Sequence, residues 1–195
     1  VLGLAMDYDV VVIGAGHAGC EAALASARMG CGTLLLTMNL DMAGHMPCSP
    51  SIGGLGKSHL VKEIDALGGE MARIADLTAI QYRVLNTSKG PAVQGTRTQN
   101  DKALYRIAMK RSLECQPGLE VKQAQADEIV SGDGAVRGVR DTVGAVFGAK
   151  AVVVTAGTFL HGIVHLGERR IPAGRACEFP SNELADSLAR LGLKT

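Results

Sequence analysis

The 195-residue sequence contains no tryptophan and only three tyrosines and three phenylalanines. It is therefore poorly supplied with the aromatic faces on which a nucleic-acid binder stacks bases. A surplus of charge is missing too: twenty Lys and Arg stand against nineteen Asp and Glu. A net charge of +1 excludes the broad basic footprint of an autonomous nucleic-acid-binding domain. The five cysteines (Cys20, Cys31, Cys48, Cys115, Cys177) include no Cys-x-x-Cys pair. Their odd number argues against a disulfide framework or a zinc ribbon and fits a reducing cytoplasm, the expected location. No apolar run approaches the ~20 residues of a membrane helix, and Val1 to Met6 lacks the basic and apolar regions of a signal peptide.

Glycine is present in excess. Its 25 residues are nearly twice the usual share of about 7% and lack the three-residue period of collagen, which points to many close backbone approaches. With 47% apolar and 20% charged residues, the chain has an ordinary globular composition. Tyr8 to Ile13 and Cys31 to Thr37 are short apolar runs that read as strands. The Ala-rich stretch from Gly19 to Gly30 between them reads as a helix with a glycine stop. This is the spacing of a βαβ unit with parallel strands. Met38 to Gly56 is rich in Gly, Pro and Ser and is expected to be a long functional loop. Leu60, Val61, Ile64 and Leu67 share one face of a helix expected to end at Gly68-Gly69, and a second helix is expected from Asn100 to about Glu114. Asn86 to Gly95 reads as a loop. After Pro117 the pattern turns to strands: Leu119 to Gln123, Ala126 to Val130, a hairpin turn at Asp133-Gly134, Val136 to Arg140, Ala145 to Phe147, and finally Ala151 to Thr155.

Gly14, Ala15, Gly16, His17, Ala18 and Gly19 form a G-x-G-x-x-G motif directly after the first strand and at the head of the first helix, the context in which the motif binds a dinucleotide. Gly14 permits the turn, Gly16 lets the backbone approach a pyrophosphate, and Gly19 lets helix and strand pack. The acidic residue that would bind ribose hydroxyls is absent. Thr37 occupies its place, followed by Met38 and Asn39, so a hydroxyl or an amide is the expected substitute and an NAD dehydrogenase is disfavoured. The β-rich middle suits an FAD domain, by fold analogy. The expected class is therefore α/β: a Rossmann-like FAD-binding domain of the glutathione-reductase type with a β-meander insertion, spanning 1–195.

Ser51 to Ser58 imitates a phosphate-binding P-loop, but the Pro-flanked segment before it cannot be a central strand. Gly53 and Gly54 are better read as a backbone cradle against a cofactor. Cys48, placed between two prolines, is either a nucleophile or an inert loop thiol. His161 and His165 have the spacing of metal ligands, but Gly162 interrupts them and no zincin Glu is present, so no metal site is expected. Within the basic stretch from Lys89 to Arg111, Lys89 and Arg97 fall in loops and are candidates for holding substrate; the rest reads as a solvated helix face.

Taken together, YDVVVIGAGHAGCEAALASARMG, CSPSIGGLGKSHLVKEIDALGG, LNTSKGPAV, RTQNDKALY and AVVVTAGTFLHGIVHLG resemble the MnmG (GidA) family from about Tyr8 to the last residue. The family's usual C-N-P-A-I-G-G reads Cys48-Ser49-Pro50-Ser51-Ile52-Gly53-Gly54 here, and its R-A-Q reads Arg97-Thr98-Gln99. The resemblance implies an FAD-dependent enzyme that modifies the wobble uridine of tRNA. Such an enzyme would use NADH and methylenetetrahydrofolate, act as a homodimer and work with the GTPase MnmE. It also implies that Cys48 is the nucleophile and that FAD contacts fall on Gly14 to Gly19, Ala126 and Ser181. Family members are longer, so the chain is expected to be an amino-terminal part whose nicotinamide-binding and tRNA-binding regions lie elsewhere. The alternatives are a TrmFO-like folate- and FAD-dependent tRNA methyltransferase or other flavin oxidoreductase, and a non-catalytic nucleotide-binding or dimerisation module.

Overall fold

The computed structural model describes residues 5–194. Strand β1 (Ala5–Ile13), helix α1 (His17–Arg28) and strand β2 (Thr33–Thr37) form the βαβ unit read from the sequence, and β1 and β2 pair in parallel. The chain then passes through a 3-10 turn at Leu40–Met42 and a short strand β3 (Ser51–Gly53). It continues through helices α2 (Lys57–Ala66) and α3 (Met71–Thr78) and strands β4 (Ala79–Leu85) and β5 (Gly95–Asn100). Helix α4 (Lys102–Glu114) begins where the Asp101 carboxylate accepts hydrogen bonds from the backbone N–H groups of Ala103 and Leu104, a side-chain cap. Strands β6 (Leu119–Gln123), β7 (Ala126–Gly132), β8 (Ala135–Asp141) and β9 (Val146–Val154) follow. A hairpin of β10 (Ile163–Leu166) and β11 (Arg169–Pro172) and helix α5 (Asn182–Arg190) complete the described elements.

The main sheet has the order β6-β2-β1-β9-β8-β7. Its first four strands are parallel and reproduce the 3-2-1-4 core of the doubly wound nucleotide-binding fold. Strands β7, β8 and β9 are an antiparallel meander joined to that core through β9. The strands expected at Ala145 to Phe147 and Ala151 to Thr155 are one element. It pairs with β1 from Phe147 to Val154, and its first residues, Val146 to Gly148, also pair with β8 on the other side. The hairpin turn falls at Asp133-Gly134, as expected, with both residues at positive φ (53° and 73°), the geometry of a type I′ turn.

Alternation along the strands sorts the core into two layers. Val12 and Leu35 face one way and pack with Leu24, Ile74, Tyr105 and Met109 from α1, α3 and α4. Val11, Ile13, Leu34 and Leu36 face the other way, against Ile129, Val139, Leu184 and Leu188 from the meander and α5.

The stretch from Met38 to Gly56, expected to be loop throughout, contributes β3 to a separate antiparallel sheet of order β3-β5-β4. The apolar face expected on α2 is only partly used. Val61 packs on the core, whereas Leu60 is 60% exposed and Leu67, just beyond the helix, is 91% exposed. This part of the molecule is tied down by polar groups. The Glu21 carboxylate accepts from the backbone N–H of Glu70 and Met71 at the start of α3. The buried Glu70 carboxylate in turn takes Arg28, Arg73 and Ser112. Burial pushes the Glu70 carboxyl up, but hydrogen bonds from Arg73, Arg28 and Ser112 outweigh it and bring it down to about 2.

Candidate functional site

At the carboxyl ends of β1 and β9 the strand order reverses, and a cleft opens there; this is where open α/β sheets bind their ligands. It has a volume of about 570 Å³, within the range of small-molecule and cofactor sites. One wall is the turn between β1 and α1, and packing requires two of the three glycines of that turn. Gly14 has φ +100°, and a Cβ there would lie 2.7 Å from the Thr155 carbonyl oxygen. A Cβ on Gly19 would lie 1.7 Å from the Gly14 carbonyl oxygen, so helix and strand meet backbone to backbone. Thr155 fastens the junction by donating to the carbonyls of Ile13 and Gly14 at 2.8 and 2.9 Å. Gly16 differs: a Cβ would meet nothing within 4 Å. It is the N-cap of α1, has no side-chain cap, and lines the cleft. The first-turn N–H groups, at the positive end of the helix dipole, are therefore offered to an anion in the cleft.

Gly14, Ala15, Gly16, His17, Thr37, Asn39, Ala126 and Ser181 all line this cleft, whereas Ala18 and Gly19 do not. Thr37 and Asn39 stand at the end of β2, where the fingerprint has its carboxylate. The Asn39 Oδ1 atom is engaged as acceptor for the Asp41 N–H at 2.9 Å and caps the 3-10 turn. Its amide N–H groups make no internal hydrogen bond among the described residues, leaving donors to face a ribose hydroxyl. Ala126 and Ser181 are both buried, and Ser181 precedes α5 on the far wall. The cleft suits a dinucleotide: a glycine turn open at Gly16, apolar walls from Ile13, Leu36 and Leu184, and polar groups at the strand ends.

Several cleft residues were not anticipated from the sequence. Arg175 holds Glu178 in a two-pronged ion pair at 2.7 and 3.1 Å and lies 5.3 Å over the Phe159 ring. Between them Cys177 takes φ +64°, an unusual backbone state for a side chain without local stabilisation. His45 is another, and it lines the cleft together with the expected His17. Burial, and then the nearby His45, lower the His17 pKa. Burial, with Arg175, Arg106 and Lys102, lowers that of His45. Both imidazoles are thus neutral at pH 7. Of this wall only Ser181 was expected, through the family resemblance, and no periodicity shows a loop folding back through an Arg–Glu pair.

The other expected site residues do not line the cleft. Pro47 lines it, and the adjoining Cys48 is exposed. Gly53 and Gly54 do not line it. Gly53 pairs with Arg97 in the small sheet, and its φ of +84° and a would-be Cβ contact of 2.3 Å with the Thr96 carbonyl oxygen explain the glycine. Arg97 donates to the Ser51 hydroxyl at 3.3 Å, and Lys89 is exposed in the turn between β4 and β5. Cys20 is a packing residue: its thiol contacts the Ala15 carbonyl, and burial pushes its pKa up to about 12. Among the described residues no group of three or more His, Cys, Asp or Glu side chains could hold a metal ion, and no helix is long and apolar enough to cross a membrane.

Comparison with known proteins agrees with this geometry. The chain is 62% identical over 185 residues to the tRNA uridine 5-carboxymethylaminomethyl modification enzyme MnmG of Syntrophobacter fumaroxidans, a match covering 95% of this chain and 29% of that protein. The structure of Aquifex aeolicus GidA superposes with a TM-score of 0.91 at 50% identity, covering 95% of this chain and 31% of that one. The GidA-related protein from Thermus thermophilus superposes at 0.67 with 26% identity, covering 95% and 68%. The chain thus spans about 30% of the length of the curated relatives it matches. The family described as Glucose inhibited division protein A matches residues 9–195, and the chain belongs to that family.

Proposed function

We propose that this chain is the FAD-binding part of an enzyme that modifies the wobble uridine of tRNA, adding an aminomethyl or carboxymethylaminomethyl group. Family membership and the names of the full-length relatives support the tRNA reaction. The observation that carries the cofactor assignment is the cleft at the β1/β9 reversal, where Gly16 leaves the head of α1 open. FAD, when bound, supplies two-electron redox chemistry. The chain's residues bind and orient it: Gly14 makes the turn while its own N–H is held by the Leu36 carbonyl, backbone N–H groups from Ala15 to His17 face the pyrophosphate, Thr37 and Asn39 face a ribose, and Ala126 and Ser181 close the adenine side and the far wall. Gly19 acts through the packing of α1 on β1, and Gly53 and Gly54 shape the loop that carries Cys48. Cys48 is the nucleophile of this reading, exposed at the edge of the cleft, with Lys89 and Arg97 holding substrate. NADH and methylenetetrahydrofolate are the co-substrates, MnmE is the partner, and the working form is a cytoplasmic homodimer.

The test is expression of the intact protein in cells lacking their own such enzyme, followed by mass spectrometry of tRNA nucleosides. Restored wobble-uridine modification is expected, with Cys48→Ser retaining flavin but losing modification. Absence of modification by the wild-type protein, folded and flavin-loaded, would contradict the reading; unchanged modification by Cys48→Ser would remove Cys48 from it.

A further inference from the structure

The chain is nearly neutral as a whole, but its charges are segregated. Residues 42–62 and 77–100 contain no Asp or Glu and carry Lys57, Lys62, Arg83, Lys89 and Arg97; the remaining residues have fifteen basic side chains against nineteen acidic ones. The two acid-free segments are the ones that fold together as β3, β4 and β5, with the loop that joins β4 to β5. The register brings Arg83 directly opposite Arg97, and Gln81 opposite Gln99, which also faces Ser51. These side chains therefore share one face of the small sheet. Ile52, Thr98 and Asn100 are buried on the other.

Two like charges directly opposed on an antiparallel pair destabilise it, and nothing acidic on this sheet relieves them. Arg97 reaches only a hydroxyl, Ser51, which touches Ser49 at 3.0 Å. Exposed Arg83 makes no hydrogen bond or ion pair among the described residues, and the buried Oε1 of Gln99 has no hydrogen-bond partner. Lys89 lies at the tip of the same hairpin. It stands beyond Asn86, about 10 Å along the strand from Arg83 at 3.3 Å per residue. A line of cations so spaced matches a polyanion better than a single small anion, which needs one compact cluster. The face also continues into the site: Ser49 follows Cys48, and Cys48 follows Pro47 of the cleft wall.

We propose that this face of the three-stranded sheet holds the phosphodiester backbone of the RNA substrate, with Arg83 and Arg97 bracketing one phosphate and Lys89 meeting another. The proposal rests on the tRNA reading above. It places an RNA-positioning surface within the flavin-binding part itself, next to Cys48. Arg83 is a positioning residue that contributes charge and no base recognition.

The test is tRNA binding by the intact, flavin-loaded protein between 50 and 200 mM salt, comparing wild type, Arg83→Gln and, as a distant exposed control, Arg190→Gln. Loss of one phosphate contact lowers the slope of log K against log salt by about 0.7 to 0.9 and weakens binding about five- to tenfold at 0.1 M salt. Arg83→Gln is expected to show this loss for cognate and non-cognate tRNAs alike, with flavin absorbance unchanged, while Arg190→Gln matches wild type. Wild-type binding with an unchanged Arg83→Gln overturns this proposal alone, as does an equal loss in Arg190→Gln. A selective loss of methylenetetrahydrofolate binding in Arg83→Gln would show that the face serves carboxylates. A changed oligomeric state with tRNA affinity intact would show that it meets a second copy. Failure of the wild-type protein to bind tRNA at all would overturn the tRNA reading itself.

Discussion

Leu35, in the middle of the main sheet, is fully buried, whereas Leu67, at the end of α2 beside the small sheet, is 91% exposed. The contrast extends to the two regions around them. The main sheet is sandwiched between apolar layers from α1 and α4 on one side and α5 on the other. The small sheet and its helices expose Leu60, Ile80 and Tyr82 and depend on polar bonds. These are the Glu21–Glu70–Arg28–Arg73 network and the chain in which Thr98 donates to Asn100, and the Asn100 amide to the Ala75 carbonyl at 2.6 Å and the Thr78 hydroxyl. Burial builds a rigid frame for a cofactor cleft, and buried polar networks fix the register of a second layer that leaves its charged face to solvent. The two regions therefore respond to different perturbations.

The largest effect is expected at the joint of the main sheet. Gly19→Val puts side-chain atoms where even a Cβ would sit 1.7 Å from the Gly14 carbonyl oxygen; it should destabilise the protein by more than about 3 kcal/mol, read as loss of soluble folded protein. Leu35→Ala should cost about 3 kcal/mol by removing fully buried apolar volume, measured by denaturant unfolding. Glu70→Gln strikes the polar layer and should cost roughly 2 kcal/mol, because the bonds to Arg28 and Arg73 lose their charge. It should also change the response to acid. The Glu70 carboxyl is held at about 2 against an ordinary 4.5. The unfolded chain therefore binds the proton first, and the stability this group contributes is present above 4.5 and lost as pH falls toward 2. Wild type should lose stability over that interval more steeply than Glu70→Gln; equal slopes would detach Glu70 from the layer's stability. Leu67→Ser should change stability by less than about 0.5 kcal/mol, and a loss comparable to that of Leu35→Ala would erase the contrast.

Legibility in the sequence follows the same division. The run of apolar residues in YDVVVI and the glycine motif after it gave the βαβ unit, because burial leaves a periodic trace and close approach requires glycine. The glycine motif, Thr37, Asn39, Ala126 and Ser181 contributed residues that the fold brings to one cleft. Ala145 to Phe147 and Ala151 to Thr155 read as two strands because Gly148 and Lys150 interrupt the apolar pattern of a single strand that pairs with β1 along its length and with β8 only at its start. Helix α3 sets Met71, Ile74, Ala75 and Thr78 on one face but is only eight residues long, and strand β4 is exposed along its middle and leaves no alternation. Thr78, Thr98 and Asn100 are buried through mutual hydrogen bonds, and polar residues buried in this way read as surface. Cys177 and the Arg175–Glu178 pair owe their places to a loop conformation with no pattern at all. The absence of acids within β3, β4 and β5 and the loop between the last two was fully visible in the sequence, and it acquired meaning only when the register set Arg83 against Arg97.

The central claim, that the cleft at the β1/β9 reversal holds FAD through the open head of α1, is tested most directly at Gly16. Its backbone is extended, with φ −69°, and a Cβ there meets no protein atom within 4 Å, so Gly16→Val should fold as wild type does while its side chain occupies the path of the pyrophosphate. The measurement is the visible absorption of the intact protein after loading with FAD and gel filtration, alongside thermal unfolding. Flavin bands are expected in wild type and their loss in Gly16→Val at an unchanged apo-protein Tm. Stoichiometric flavin retained by Gly16→Val, or no flavin bound by folded wild type, would contradict the claim.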